Sequence, residues 1–121
     1  MMKQINPIEA SLNESAGAIK ALIPLTPFIE KFAQSVVETF DSGNKVLIVG
    51  NGGSAADAQH FAAEMVVRYK KNGIPLPALA LTTDTSILTA TSNDFDFDQI
   101  FARQVEALGK RGDMLLALST S

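Results

Sequence analysis

Val46-Leu47-Ile48-Val49, followed at once by Gly50-Asn51-Gly52-Gly53-Ser54, constrains the fold of this chain more than any other stretch. Four consecutive apolar residues, three of them branched at Cβ, leave no polar side for solvent. That is the pattern of a strand covered on both faces in a parallel sheet. Parallel strands need a crossover, usually a helix, and the glycine run after Val49 supplies the turn into one. The periodicity predicts that helix over about Ala55 to Lys71, broken by Asn72-Gly73 and two prolines. A second apolar strand is expected from Ala78 to Leu81. Thr83-Asp84-Thr85-Ser86 can cap a short helix through Ala90, and Asp96 with Gln99 forms a capping box for a helix ending near Gly109. Gly112-Asp113 then leads into a third strand, Met114 to Leu118. This alternation predicts an α/β fold with a parallel sheet and right-handed crossovers.

Two helices precede the first strand. Residues 8 to 22 carry Ile8, Leu12, Ala16 and Ile19 at helical spacing. Thr26-Pro27 reads as an N-cap and first helical residue, followed by an apolar stripe of Phe28, Phe32, Val36 and Phe40. Asp41-Ser42-Gly43-Asn44 ends that helix. The expected organisation is a helical segment over 1–44 and the α/β unit over 45–121. A chain of 121 residues suits one ordinary domain. A sheet of three strands ending on Ser119-Thr120-Ser121 suggests part of a longer chain.

Composition narrows the function classes. Ten basic residues against thirteen acidic ones give a net charge of −3, so no strongly basic face is available for nucleic acid. The absence of cysteine excludes a disulfide scaffold, a thiolate zinc site and a cysteine nucleophile. Apolar runs reach about five residues, against the ~20 a membrane span needs. The polar start has no signal-peptide core, and the expectation is a cytoplasmic protein.

The glycine loop lies between a buried strand and a helix N-terminus, where backbone N–H groups and the helix dipole favour an anion such as phosphate. Gly50, Gly52 and Ala55 formally match the dinucleotide-binding pattern. The acid that should follow about 20 residues on is absent, because Asp84 lies 34 residues beyond Gly50. No Gly-Lys-Ser/Thr follows either, so this is not a Walker loop.

On the helix that follows, Asp57, His60, Glu64 and Arg68 fall within an arc of roughly 80°. Ala58, Phe61, Ala62, Met65, Val66 and Tyr69 take the adjoining arc and would pack on the sheet. The stripe can be a solvated face with an ion pair such as Glu64 to Arg68. It can equally be a site in which His60 and Glu64, one turn apart, share a metal ion or supply a general base. Ser119-Thr120-Ser121 follows the third strand, at the strand ends where open α/β sheets bind ligands. Asn93-Asp94 reads as a turn signal between two helices.

These motifs together resemble the phosphoheptose isomerases, members of the sugar-isomerase (SIS) domain superfamily. The resemblance runs from Val46 to Ser121, through Gly50-Asn51-Gly52-Gly53-Ser54, Asp57-Ala58-Gln59-His60-Phe61-Ala62-Ala63-Glu64, Arg68-Tyr69 and Asn93-Asp94-Phe95. It continues in order with Phe101-Ala102-Arg103-Gln104-Val105-Glu106-Ala107-Leu108-Gly109 and Ser119-Thr120-Ser121.

It implies a three-layer α/β/α, flavodoxin-like SIS fold and a homotetramer. It also implies conversion of sedoheptulose 7-phosphate to glycero-manno-heptose 7-phosphate, for ADP-heptose and lipopolysaccharide core synthesis. By position, the resemblance makes His60 and Glu64 zinc ligands and Glu64 the catalytic base as well. Asn51, Gly52, Gly53 and Ser54 become the substrate loop, Asn93 and Asp94 a further substrate contact, and Ser119, Thr120 and Ser121 the start of a phosphate loop. Members of the family continue past the equivalent of Ser121 with another phosphate-loop serine, and with a glutamine and a histidine that complete the zinc site. The expectation is therefore that these 121 residues alone are not a competent isomerase. The alternative is a non-catalytic SIS relative that binds the replication initiator. Such relatives keep the glycine loop and His-Phe-Ala but lose the carboxylate at the position of Glu64, and carry threonine where this chain has Gly53.

Overall fold

A computed structural model describes residues 6–120 and separates the chain into two compact units, one through Ser35 and one from Val36. In the first unit, helix α1 spans Pro7–Lys20. Asn6 starts it, its side chain accepting from the Ile8 N–H at 2.9 Å, and Pro7 supplies the preset first helical residue. The helix stops two residues short of the expected end, and a 3₁₀ turn follows over Ile23–Leu25. Helix α2, Thr26–Asp41, continues directly from that turn. Thr26 is consequently not the expected N-cap. The backbone before it is already helical, and its hydroxyl donates backwards to the Ile23 carbonyl at 2.9 Å. Ile8, Leu12, Ile19 and Phe28 in this unit are exposed.

The second unit holds a three-stranded parallel sheet in the order β2-β1-β3. Strand β1 spans Val46–Gly50, β2 Ala78–Ala80 and β3 Met114–Leu118. Val46 faces Ala78 on one side and Met114 on the other, and the β1–β3 register runs on to Gly50 opposite Leu118. Every residue of β1 is buried, as the unbroken apolar run requires. Its alternating side chains divide between two layers. Val46 and Ile48 pack with Ala58 and Ala62 of helix α3 (Gly53–Val66) and with Val36 and Phe40 of α2. Leu47 and Val49 pack with Leu81, and with Phe101 and Val105 on the other face. Helices on both faces make the three-layer α/β/α arrangement expected from the sequence. Full burial of each large β1 side chain contributes about 1.5–3 kcal/mol, so the sheet is organised around this strand.

The remaining helices are α4, Thr85–Asp94, and α5, Ala102–Leu108. Asp84 caps α4 by accepting from the Ile87 N–H at 3.0 Å, within the expected cap cluster. The helix runs four residues past Ala90, so Asn93-Asp94 closes it and is not the turn that the dipeptide suggested. The Asp96–Gln99 capping box does not form. Asp96 makes no side-chain cap, a 3₁₀ turn occupies Phe97–Gln99, and α5 begins only after Phe101.

Helix α3 also ends early. The Met65 carbonyl, which a continuing helix would offer to Tyr69, accepts instead from the Leu76 N–H at 3.0 Å. Two consecutive β-branched residues, Val66 and Val67, weaken the helix at the same point. Arg68 therefore leaves the polar stripe, and its guanidinium donates to Asn72 at 3.0 Å rather than pairing with Glu64.

At the amino ends of β1 and β3 a single carboxylate ties the strands together. Asp113 accepts from the Lys45 ammonium, from the Lys45 N–H at 3.0 Å and from the Lys110 N–H at 2.7 Å. Its side chain is 6% exposed. The Lys45 side chain above all, and then the backbone N–H of Lys45, lower its pKa from 3.8 to about 2, against the opposing effect of burial. Among the described residues no helix is long and apolar enough to cross a membrane.

Candidate functional site

The carboxyl ends of the strands are built differently. β1 delivers the chain to Gly50, where a Cβ would lie 2.6 Å from the Ser54 carbonyl oxygen and 2.8 Å from its carbon. Only glycine lets the first turn of α3 close so tightly onto the strand end. Gly52 then adopts φ +58°, ψ −122°, a conformation side chains avoid, and α3 opens at Gly53 with no side-chain cap. The Ser54 N–H donates to the Asn51 carbonyl at 3.0 Å, which folds the loop over the strand end. The Ala55 and Ala56 N–H groups likewise donate back, to the Gly52 carbonyl at 3.1 and 3.3 Å, so what this helix N-terminus offers an anion is chiefly its dipole.

A crevice of about 290 Å³ lies over this end of the β1–β3 pair. Gly50, Asn51 and Ser54 line it from one side, Ser119 and Thr120 from the other, and Phe101 walls it. The parallel register that sets Gly50 opposite Leu118 brings the glycine loop and the two hydroxyls together. Hydroxyl and backbone donors around a helix N-terminus form a cradle suited to phosphate. Ser121, grouped with them in the sequence, lies outside the described residues.

His60 and Glu64 lie further along α3, in an open groove of about 400 Å³ that Asp57, Phe61, Met65 and Tyr69 also line. The His60 Nε2 is 3.2 Å from the Glu64 Oε1; the histidine side chain is 78% exposed and the glutamate 27%. Two ligands of a tetrahedral zinc ion, each about 2.0–2.2 Å from the metal, lie roughly 3.3–3.6 Å apart, close to the separation of this pair. The pair's spacing therefore fits two positions on one ion. A four-ligand shell needs further donors, since no cluster of three or more His, Cys, Asp or Glu suited to a metal occurs among the described residues.

Known proteins similar to this chain agree with one another. A family model described as the SIS domain matches residues 13–121. The chain belongs to the SIS domain family. A phosphoheptose isomerase from Roseiflexus sp. (strain RS-1) is 56% identical over 117 residues, covering 97% of this chain and 58% of that protein. One from Campylobacter concisus is 61% identical over 93 residues, covering 77% and 49%. Among solved structures, a phosphoheptose isomerase from Neisseria gonorrhoeae superposes with a TM-score of 0.83 at 45% identity, covering 95% of this chain and 60% of that one. One from Francisella tularensis gives 0.83 at 37% identity, covering 97% and 63%. The chain thus spans about half to three fifths of the length of the curated relatives it matches.

Within this SIS chain the residues singled out from the sequence fall into three groups. Asn51, Ser54, Ser119 and Thr120 share the crevice, while Gly52 lines the cavity next to it. His60 and Glu64 share the groove along α3. Asn93 and Asp94 are exposed at the end of α4, where the Asn93 amide donates to the Asp94 carboxylate at 2.8 Å, and neither lines these cavities; Gly53 is exposed at the start of α3.

Two residues that the sequence reading passed over as site residues stand out. Gln104 is buried, and its amide donates to the carbonyls of Leu81 at 3.0 Å and Ile100 at 2.9 Å, fastening α5 to the end of β2. Thr82, just past β2, has a buried hydroxyl with no hydrogen-bond partner, a condition costing about 1–3 kcal/mol. A polar residue on the sheet-facing side of α5 was the available signal for Gln104. Nothing in the sequence marks Thr82.

Proposed function

We propose that the protein carrying this chain is a phosphoheptose isomerase that interconverts sedoheptulose 7-phosphate and glycero-manno-heptose 7-phosphate. The observation that carries this reading is the half-buried carboxylate of Glu64, 3.2 Å from His60 on the helix that starts at the glycine loop. A carbonyl shift between C2 and C1 needs a base that takes a proton from one carbon and returns it to the other through an enediolate. Glu64 is that base in this proposal. The loop of Asn51, Gly52, Gly53 and Ser54, with Ser119, Thr120 and Ser121, holds the phosphate end and so fixes the reacting carbons by position. Asn93 and Asp94 contact the substrate from the end of α4.

The proposal includes a zinc ion held in part by His60 and Glu64, whose spacing suits it. When bound, such an ion polarises the carbonyl and stabilises the developing oxyanion. His60 and Glu64, one turn apart on α3, would hold that ion from the same side. A carboxylate at this position also speaks against the initiator-binding alternative, whose members lack it by the resemblance drawn above. The relatives named phosphoheptose isomerase support the same reading. Exposed apolar side chains such as Phe28 and Ile8 support assembly with further copies, as a homotetramer, since large apolar patches mark interaction surfaces. The product feeds ADP-heptose and lipopolysaccharide core synthesis in the cytoplasm.

The deciding experiment is turnover of sedoheptulose 7-phosphate by the protein at the length of its curated relatives, with and without a chelator. Turnover that a chelator abolishes and zinc restores is the expected result. A folded, zinc-supplied protein with no turnover overturns the isomerase reading.

A further inference from the structure

Two of the chain's six asparagines, Asn51 and Asn72, precede a glycine, and the structure sets them in opposite surroundings. Before glycine, the next backbone nitrogen reaches an asparagine side chain most easily, because no Cβ stands in the way. Asn51-Gly52 is held in the tight loop after β1. The Asn51 carbonyl accepts from the Ser54 N–H at 3.0 Å, and the Gly52 carbonyl accepts from the Ala55 and Ala56 N–H groups at 3.1 and 3.3 Å. Asn72-Gly73 lies instead in the segment between α3 and β2. Both residues are exposed, as are Tyr69 and Ile74 at 69% and 81%. Among the described residues, no backbone-to-backbone hydrogen bond involves residues 68–75. The fold does not require glycine at position 73. Its φ lies outside the left-handed region, and a Cβ there would meet nothing within 4 Å. One directed contact falls on this dipeptide: the Arg68 guanidinium donates to the Asn72 side-chain oxygen at 3.0 Å.

We infer that Asn72 is a self-modification site, whose side-chain amide is lost to attack by the Gly73 backbone nitrogen while the Arg68 guanidinium polarises it. The Gly73 nitrogen gives its proton to solvent base and forms a bond to the Asn72 Cγ. The electron pair of the Cγ=O bond moves onto the oxygen that Arg68 holds, so charge develops where a cationic donor already points. The Cγ–Nδ2 bond then breaks, and the nitrogen leaves as ammonia after taking a proton from solvent. A five-membered cyclic imide remains. Water adds to one of its two carbonyls and breaks the ring C–N bond, giving aspartate from one side and isoaspartate from the other. The sum is amide plus water to carboxylic acid plus ammonia, with nothing oxidised or reduced. The new carboxylate lies beside Arg68, so a hydrogen bond to an amide becomes an ion pair. The net charge becomes one unit more negative than −3. Asn51 follows this course only when its loop opens, since the attack needs backbone rotation that the three loop hydrogen bonds oppose.

The test is peptide mapping by mass spectrometry on the protein at the length of its curated relatives, held at neutral and at mildly alkaline pH. The Asn72 peptide is expected to gain about 1 Da at least about 10-fold faster than the Asn51 peptide, and faster still at the higher pH. Gly73→Ala should slow the loss at Asn72 about 10-fold, because the added Cβ obstructs the attack. It should not lower the urea midpoint, since the fold has room for that Cβ. Arg68→Met should slow the loss about 3-fold, the worth of one exposed hydrogen bond, and leave Asn51 unchanged. An Asn72 that keeps its amide, or loses it no faster than Asn51, overturns the site. Loss at the parent rate in Gly73→Ala overturns attack by the neighbouring nitrogen. A rate in Arg68→Met equal to the parent's or above it overturns the part given to the guanidinium. Turnover of the sugar phosphate tests the isomerase reading separately, and that reading stands or falls without Asn72.

Discussion

At the amino ends of β1 and β3 the Asp113 carboxylate is surrounded by donors, the Lys45 ammonium and two backbone N–H groups, and its side chain is nearly buried. On α3 the Glu64 carboxylate has one partner, the exposed His60, and faces an open groove. The same functional group serves two purposes in one chain, and its surroundings decide which. A carboxylate whose lone pairs are filled by fixed donors is locked into its charged form and holds strands in place. One left with spare acceptor capacity beside an open cavity is available for a ligand or a proton.

The sharpest way to break this contrast is to neutralise each carboxylate in turn. In the protein at the length of its relatives, Glu64→Gln is expected to lower turnover of sedoheptulose 7-phosphate by about 10²- to 10⁴-fold, the range for removing a general base. Its urea midpoint should stay close to that of the parent. Turnover within a few-fold of normal would remove Glu64 from the role of base.

The glycine that joins β1 to α3 comes next. Gly50→Ala forces a Cβ to 2.6 Å from a backbone oxygen, and backbone on both sides must shift. We expect a loss of about 1–3 kcal/mol in urea denaturation, together with weaker phosphate binding because the loop moves with the helix. An unchanged midpoint would show that the strand end and the helix are less tightly joined than the 2.6 Å approach requires.

Asp113→Asn probes the opposite end. The folded-state pKa of Asp113 is depressed from 3.8 to about 2, so the clip stabilises the fold above pH 3.8 and loses that contribution as pH falls through about 2. The asparagine variant should be less stable at neutral pH and should lose less of its stability across that window. Parallel pH–stability curves for parent and variant would contradict the assignment. Turnover, normalised to folded protein, should not change.

The sequence made the strand end that carries the site legible because that end is written in local terms. The apolar run of β1, the glycines after it and the hydroxyls after β3 each announce themselves within a few residues. Helix α3 was legible in kind but not in length. Its end depends on Leu76 taking the Met65 carbonyl, a partner eleven residues away that no periodicity reveals. The reading of Arg68 as part of one stripe with His60 and Glu64 failed for the same reason. The failed capping box at Asp96 is similar, because a 3₁₀ turn delays α5 until Phe101, which packs on Leu47, Val49 and Leu81. The long-range pairs Lys45–Asp113 and Gln104–Leu81 join residues 68 and 23 positions apart, and pairing at such distances leaves no local trace.

The smallest expected effect is at Thr82, where the fold carries a cost and not a tie. Thr82→Val replaces a buried hydroxyl that lacks a partner with a methyl group of nearly the same shape, so the folded chain should gain about 1 kcal/mol in urea denaturation. A hydroxyl kept for packing or for a hidden hydrogen bond would give the opposite sign.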